Sequence, residues 1–229
     1  KTFQQLAWAH HVPGDVILVA PLAVAEQTKA EADRWGYSAR VSRDGSKAAE
    51  ITITNYEQIQ KFDLGDFGGL VLDESSILKS HTGATRNAII EASARVPFRL
   101  ACTATPAPND YMELGNHAEF VGALSRVEML STYFVHDGGD TAKWRLKGHA
   151  VEDFWSWLAT WAVMLRTPAD IGGDREGFDL PPLEVHERII ESGIQSEGQL
   201  FALPARSLNE QRRARRATAV DRVAAVAEL

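Results

Sequence analysis

Short aliphatic runs alternate along the first half of the chain with segments whose apolar residues recur at helical spacing. The runs lie at 16–20, 51–54, 70–72 and 99–102, with a shorter candidate at 37–41. Runs this short and this apolar are typical of strands buried on both faces of a parallel sheet. Helices are predicted over 2–11, 24–35 and 82–95, and Gly36 suits a helix C-cap. The alternation predicts an α/β fold with a three-layer parallel sheet.

The pattern changes in the second half of the chain. Residues 110–166 look helical, and no buried strand is evident there. The segment 154–165 is apolar nearly all round and carries three tryptophans, which favours a buried core helix over a platform for stacking bases. Further on, 170–179 is a glycine-rich acidic crossing, 184–190 is a candidate strand, and 195–229 is mostly helical.

Composition and charge narrow the functional classes. The chain has 229 residues and a net charge of −7, so any contact with a nucleic acid has to come from a local patch. The single cysteine, Cys102, excludes an internal disulfide and a cysteine-based zinc site, which fits a reducing compartment such as the cytoplasm. The compact linker and the absence of long insertions favour a bacterial or phage-infected cell as the source. No apolar run approaches the length of a membrane span, so no membrane partner is expected.

Candidate chemistry follows the ends of the predicted strands. Asp73 and Glu74 come directly after the run 70–72, at the sheet edge where open α/β folds bind ligands. One carboxylate can hold a hydrated Mg²⁺ while the other orients an attacking water, which is the Walker B arrangement. Three other strands are also followed by candidate contact residues. These are Pro21 and Leu22, Thr54 and Asn55, and Thr103 and Thr105.

In order and spacing, these segments resemble the first motor lobe of helicase superfamily two, especially the SWI/SNF-type (DEAD/DEAH-like) DNA-dependent ATPases. Ala20-Pro21-Leu22 is similar to the family's motif Ia, and Ile53-Thr54-Asn55-Tyr56-Glu57 to motif Ib. Asp73-Glu74-Ser75-Ser76 stands where the family has motif II, and Thr103-Ala104-Thr105-Pro106 where it has motif III. The segments 164–166 and 180–184 resemble the stretch that links the two lobes of these motors.

The resemblance implies a RecA-like P-loop NTPase lobe that uses ATP and Mg²⁺. Glu74 and Asp73 would be catalytic, with Asp73 and Thr2 on the metal and Lys1 and Thr2 on the nucleotide. Thr103, Thr105 and Ser76 would couple the nucleotide state to movement. The chain departs from the family in two ways: only Lys1-Thr2 matches the phosphate-binding loop, and Ser76 replaces the usual His or Asp.

The same resemblance implies contact with duplex or single-stranded DNA. Pro21, Leu22, Thr54 and Asn55 are the expected contacts on the lobe, and Lys143 and Arg145 form a local basic patch beside Trp144. The expected division is a RecA-like lobe at 1–122, a helical protrusion at 123–179, and a linker and helix at 180–229. The second RecA-like lobe would follow in the parent chain.

Two functional classes remain open from the sequence. One is an ATP-dependent DNA helicase or translocase, of which this chain would be a fragment with little or no hydrolysis by itself. The other is a non-catalytic nucleic-acid-binding or scaffold module on the same fold, a possibility that Ser76 and the short match to the phosphate loop motivate.

Overall fold

Five strands form one parallel sheet in the computed structural model, which describes residues 1–79, 84–137, 140–178, 180–190 and 207–228. The order across the sheet is β2-β3-β1-β4-β5, and every neighbouring pair is parallel. The predicted α/β class is therefore confirmed. The strands are β1 (Val16–Ala20), β2 (Ala39–Val41), β3 (Ile51–Asn55), β4 (Gly69–Asp73) and β5 (Phe98–Cys102).

Eight α-helices lie in the described part of the chain. Four of them accompany the sheet, and the predicted C-cap is confirmed because Gly36 ends α2 with a left-handed φ of 78°. The helices are α1 (Thr2–His11), α2 (Ala25–Trp35), α3 (Ala84–Ser93), α4 (Leu114–Val121), α5 (Arg126–Tyr133), α6 (Val151–Ala159), α7 (Leu208–Ala217) and α8 (Ala219–Ala227).

Successive side chains of the central strand β1 face opposite sides of the sheet, and helices cover both sides. Val16 and Leu18 belong to one buried cluster together with Leu6 of α1. Ile17 and Val19 belong to a second cluster, which Phe120 of α4 joins. Because both faces are packed, the strands are apolar throughout, and the three-layer arrangement expected from the sequence is confirmed.

The segment after α4 is not wholly helical, contrary to the sequence pattern. An antiparallel pair, β6 (Phe134–Asp137) and β7 (Asp140–Leu146), forms a hairpin between α5 and α6. The hairpin packs through Phe134 against Phe154 of α6, with ring centroids 5.6 Å apart. Among its described side chains, His136 and Arg145 are exposed, and the sequence there lacks the continuous apolar run that identified the strands of the sheet.

The helix in the tryptophan-rich segment 154–165 ends earlier, and is less buried, than the sequence predicts. Helix α6 ends at Ala159, and only one face of it enters the core. Phe154 is fully buried, whereas Trp155 is 42% exposed. The candidate strand at 184–190 is wrong, because that segment has no regular secondary structure.

The chain divides into two compact units, Lys1–Met164 and Leu165–Leu229. Helices α7 and α8 belong to the second unit, while 195–206 of the helical segment predicted there lie outside the described residues. The three-part division expected from the sequence stays a prediction. Within the described residues, no helix is both long enough and apolar enough to cross a membrane.

Candidate active site

The register of the sheet brings the predicted strand-end residues to one edge. Ala20 of β1 is paired with Asn55 of β3, Val19 with Leu72 of β4, and Asp73 of β4 with Cys102 of β5. Pro21, Glu74 and Thr103 each follow directly after one of these strands. Parallel strands necessarily end on the same side, so the motifs are neighbours in space although they are far apart in sequence.

Lys1 reaches this edge from the start of α1. Its Nζ forms an ion pair and hydrogen bond with Glu74 Oε1, across 73 positions of sequence. Thr2 is the first residue of the same helix. Both side chains of the pair are partly exposed, so solvent screens their attraction and the pair can be broken at low cost. The structure therefore brings Lys1 and Glu74 together, as the assignment of both to one site requires.

Two side chains hold Asp73 from within the protein. The fully buried Gln5 of α1 donates from Nε2 to Asp73 Oδ1 at 2.7 Å, and the Tyr56 hydroxyl donates to the Asp73 carbonyl at 2.7 Å. Burial raises the pKa of Tyr56 well above its ordinary value, and the negative charges of Asp73 and Glu74 add to this effect. Tyr56 consequently remains a protonated donor throughout the physiological range.

Glu74 has a strained backbone. Its φ of 48° lies in the left-handed region, where it is the one non-glycine residue among those that the structure describes. Such a conformation costs of order 1–3 kcal/mol and persists where the surroundings enforce it. The Ser76 amide donates to the Glu74 carbonyl at 2.6 Å and closes a tight turn directly after the carboxylate. The turn thus directs the chain away from β4 and fixes where the Glu74 side chain begins.

Ser76, Thr103 and Thr105, which are expected to couple the nucleotide state to movement, make local hydrogen bonds. Ser76 Oγ donates to the Glu74 carbonyl at 3.3 Å, so its hydroxyl serves its own turn. The Thr105 amide donates to Thr103 Oγ1 at 3.2 Å, which shapes the segment after β5. Their coupling role stays a prediction.

The expected DNA contacts on the lobe differ in exposure. Leu22 is 56% exposed and Pro21 is half-buried, whereas Thr54 is 1% and Asn55 5% exposed. Strand β3 runs through Asn55 and lies between β1 and β2, so these two polar residues belong to the buried sheet rather than to a loop. Both side chains are buried in the sheet, and their contact with a nucleic acid stays a prediction.

The basic patch predicted at Lys143 and Arg145 lies on β7 of the hairpin. Arg145 is exposed and is paired across the hairpin with Val135, while the Lys143 side chain lies outside the described residues. Beside them, the ring centroids of Trp144 and His136 are 3.7 Å apart. The hairpin therefore presents an aromatic pair next to a cation, a combination suited to nucleic-acid contact.

A protein-only metal cage is not formed at this edge. Among the described residues, no group of three or more His, Cys, Asp or Glu side chains could hold a metal ion. Mg²⁺ in nucleotide sites commonly uses one or two carboxylates, substrate phosphates and waters. The partly exposed carboxylate of Asp73, oriented by Gln5, fits that mode of binding.

Comparisons with known proteins give a limited similarity. No protein-family model matches the chain, and no curated protein matches it significantly. Of the solved structures, 38 chains match. One is the Sulfolobus solfataricus SWI2/SNF2 ATPase core in complex with dsDNA, with 21% identity and a TM-score of 0.47 over 58% of this chain and 32% of that chain. The chain thus spans about a third of that neighbour's length, and so distant a similarity establishes no shared activity.

Sequence reasoning assigned no role to four residues that support the site. They are Gln5, Tyr56, Asn116 and His117. A usable signal existed for Gln5 alone, since it follows Lys1 by one helical turn and thus lies on the same face of α1. The others depend on tertiary contacts that carry no local pattern.

We expect Tyr56→Phe to flatten the loss of stability in alkaline solution. The folded pKa of Tyr56 lies above the unfolded value, so its contribution is complete below about pH 10 and is lost as pH rises further. The wild-type slope above pH 10 should be steeper by up to about 1.4 kcal/mol per pH unit. Urea unfolding from pH 8 to 11 measures this, and equal slopes would contradict the assignment.

Proposed function

We propose that this chain is the first motor lobe of an ATP-dependent DNA helicase or translocase. The observation that carries the proposal is the Lys1–Glu74 pair at the carboxyl edge of the sheet. It joins the residue that resembles the phosphate-loop lysine to the residue that resembles the water-positioning glutamate of motif II. This contact, next to Asp73 and the start of α1, supports assigning the two residues to one site.

Each side chain then has a defined task. Lys1 moves from Glu74 to the β- and γ-phosphates of ATP when the nucleotide binds, and this releases the Glu74 carboxylate to orient a water. Asp73, with Thr2, would hold Mg²⁺, which would supply positive charge to neutralise the phosphates. Gln5 and Tyr56 keep Asp73 in place through their hydrogen bonds.

The proposal also includes a second RecA-like lobe in the parent chain and DNA as the track. In motors of this kind, an arginine finger stabilises the transition-state charge and is worth about 10³–10⁵ in rate. The proposed lobe alone is therefore expected to hydrolyse ATP very slowly. Contact with DNA is assigned to the exposed Leu22, the half-buried Pro21 and the hairpin with Lys143 and Arg145.

One observation favours a second candidate, a non-catalytic nucleic-acid-binding or scaffold module. The Ser76 hydroxyl donates within its own turn, whereas the coupling role requires contact with other parts of the motor. The two candidates differ in hydrolysis, because a scaffold retains the hairpin and its cations without turnover.

Glu74→Gln in the full-length protein should retain ATP binding and lose hydrolysis by about 10²–10⁴-fold, since the neutral amide no longer orients the water. Steady-state phosphate release measures turnover, and a fluorescent ATP analogue measures binding. Glu91→Gln, on the exposed face of α3, is the matched control and should leave both unchanged. Unchanged turnover in Glu74→Gln would refute the role of Glu74, and a wild-type protein without turnover would favour the scaffold.

Removing both hairpin cations should weaken the binding of duplex DNA and reduce its dependence on salt. Each lost phosphate contact lowers the slope of log K against log salt by about 0.9. Fluorescence anisotropy between 50 and 200 mM salt therefore compares Lys143→Ala/Arg145→Ala with Lys29→Ala/Arg34→Ala, which removes the same charge from α2. Equal slopes in the two double variants would exclude the hairpin as a specific contact.

A further inference from the structure

Two adjacent residues of α4 bind the turn that carries Glu74. His117 Nε2 shares a hydrogen bond of 3.1 Å with Ser75 Oγ, directly after the glutamate. Asn116 Nδ2 donates to the Leu78 carbonyl at 2.6 Å, three residues further along the turn. All four residues are buried, with His117 4% exposed, so water does not compete for these bonds.

The turn needs such external support because of its backbone geometry. Glu74 occupies the left-handed region, and a short 3-10 helix, Ser75–Lys79, follows at once. A strained residue stays in place when neighbouring contacts over-determine it. The bonds from α4 hold this helix near its start and near its end, and they fix the direction in which the chain leaves Glu74.

Helix α4 also connects directly to the other half of the site. The segment 103–113, with Thr103 and Thr105, joins the end of β5 to the start of α4. Through α4 and the His117–Ser75 hydrogen bond, that segment is thus connected to the turn after Glu74. The turn itself contains no histidine, since Ser76 stands where the resembled family usually has His or Asp. The imidazole that contacts this turn is that of His117, which belongs to α4.

We propose that His117 is a positioning residue that holds Glu74 through Ser75, with Asn116 as a second anchor. This inference rests on the proposed hydrolysis of ATP. Simple satisfaction of buried polar groups explains the same bonds without any effect on Glu74. The two explanations differ in their expected result when one bond is removed. Positioning predicts a looser backbone at 74–79 and slower ATP hydrolysis, whereas simple satisfaction predicts neither.

The test combines a bond deletion from each side with a conservative replacement. In the full-length protein, His117→Leu and Ser75→Ala remove the bond, and His117→Gln retains a group that can hydrogen-bond. Ser75→Ala changes volume little, so it remains informative if His117→Leu fails to fold. Ser93→Ala is the matched control, because it removes an equally buried serine hydroxyl, one bonded within α3.

Two readouts separate positioning from general stability. Hydrogen–deuterium exchange of the peptide 74–79 should accelerate about tenfold in both deletions, without nucleotide present. The kcat for ATP should fall about tenfold with KM within about twofold, and His117→Gln should recover most of it. The double variant should be no worse than either single variant, since both remove the same bond.

Four results would decide against the inference or its premise. Unchanged exchange in Ser75→Ala would overturn the holding of the turn, and additive effects in the double variant would overturn the pairing. Equal losses in Ser93→Ala would assign the effect to general stability. Absence of turnover in the wild-type protein would refute the proposed function and with it the catalytic role, while the exchange measurement would still decide whether α4 holds the turn.

Discussion

Parallel pairing of β1 with β4, and of β4 with β5, is the constraint on which the site depends. The pairing places the ends of these strands side by side, so that Asp73 lies opposite Cys102 and one residue beyond the Val19–Leu72 pair. A shift of one residue would exchange Leu72 and Val71 of β4 between the two packed clusters and would also move both carboxylates. Packing on both sides of the sheet therefore fixes the register and the position of Asp73 together.

Support for the two carboxylates comes from elements on opposite faces of the sheet. Gln5 belongs to α1, which packs on one face, and holds the Asp73 carboxylate. His117 belongs to α4, which packs on the other face, and binds the turn behind Glu74. Buried hydrogen bonds of this kind cost little when every partner is present and much when one is removed. The arrangement makes the position of each carboxylate sensitive to the packing of a different helix.

Much of the sheet could be predicted from the sequence because each strand is apolar on both faces, and Gly36 marked the end of α2. The hairpin at 134–146 could not, since polar residues such as His136 and Arg145 interrupt its sequence and leave no continuous apolar run. The run 51–54 predicts a strand that ends before Asn55, yet β3 continues through Asn55. Contacts such as Gln5–Asp73 and Ser75–His117 join residues far apart in the chain and have no local signature.

The central claim is that this edge binds Mg²⁺–ATP through Asp73. Isothermal titration of ATP into the full-length protein, with Mg²⁺ and with excess EDTA, tests it most directly when Asp73→Asn is measured beside the wild type. We expect tight binding that requires Mg²⁺ in the wild type, and an affinity at least about tenfold weaker in Asp73→Asn, since the neutral amide is a poorer ligand for a hard cation. Equal affinity in all four titrations would contradict the claim.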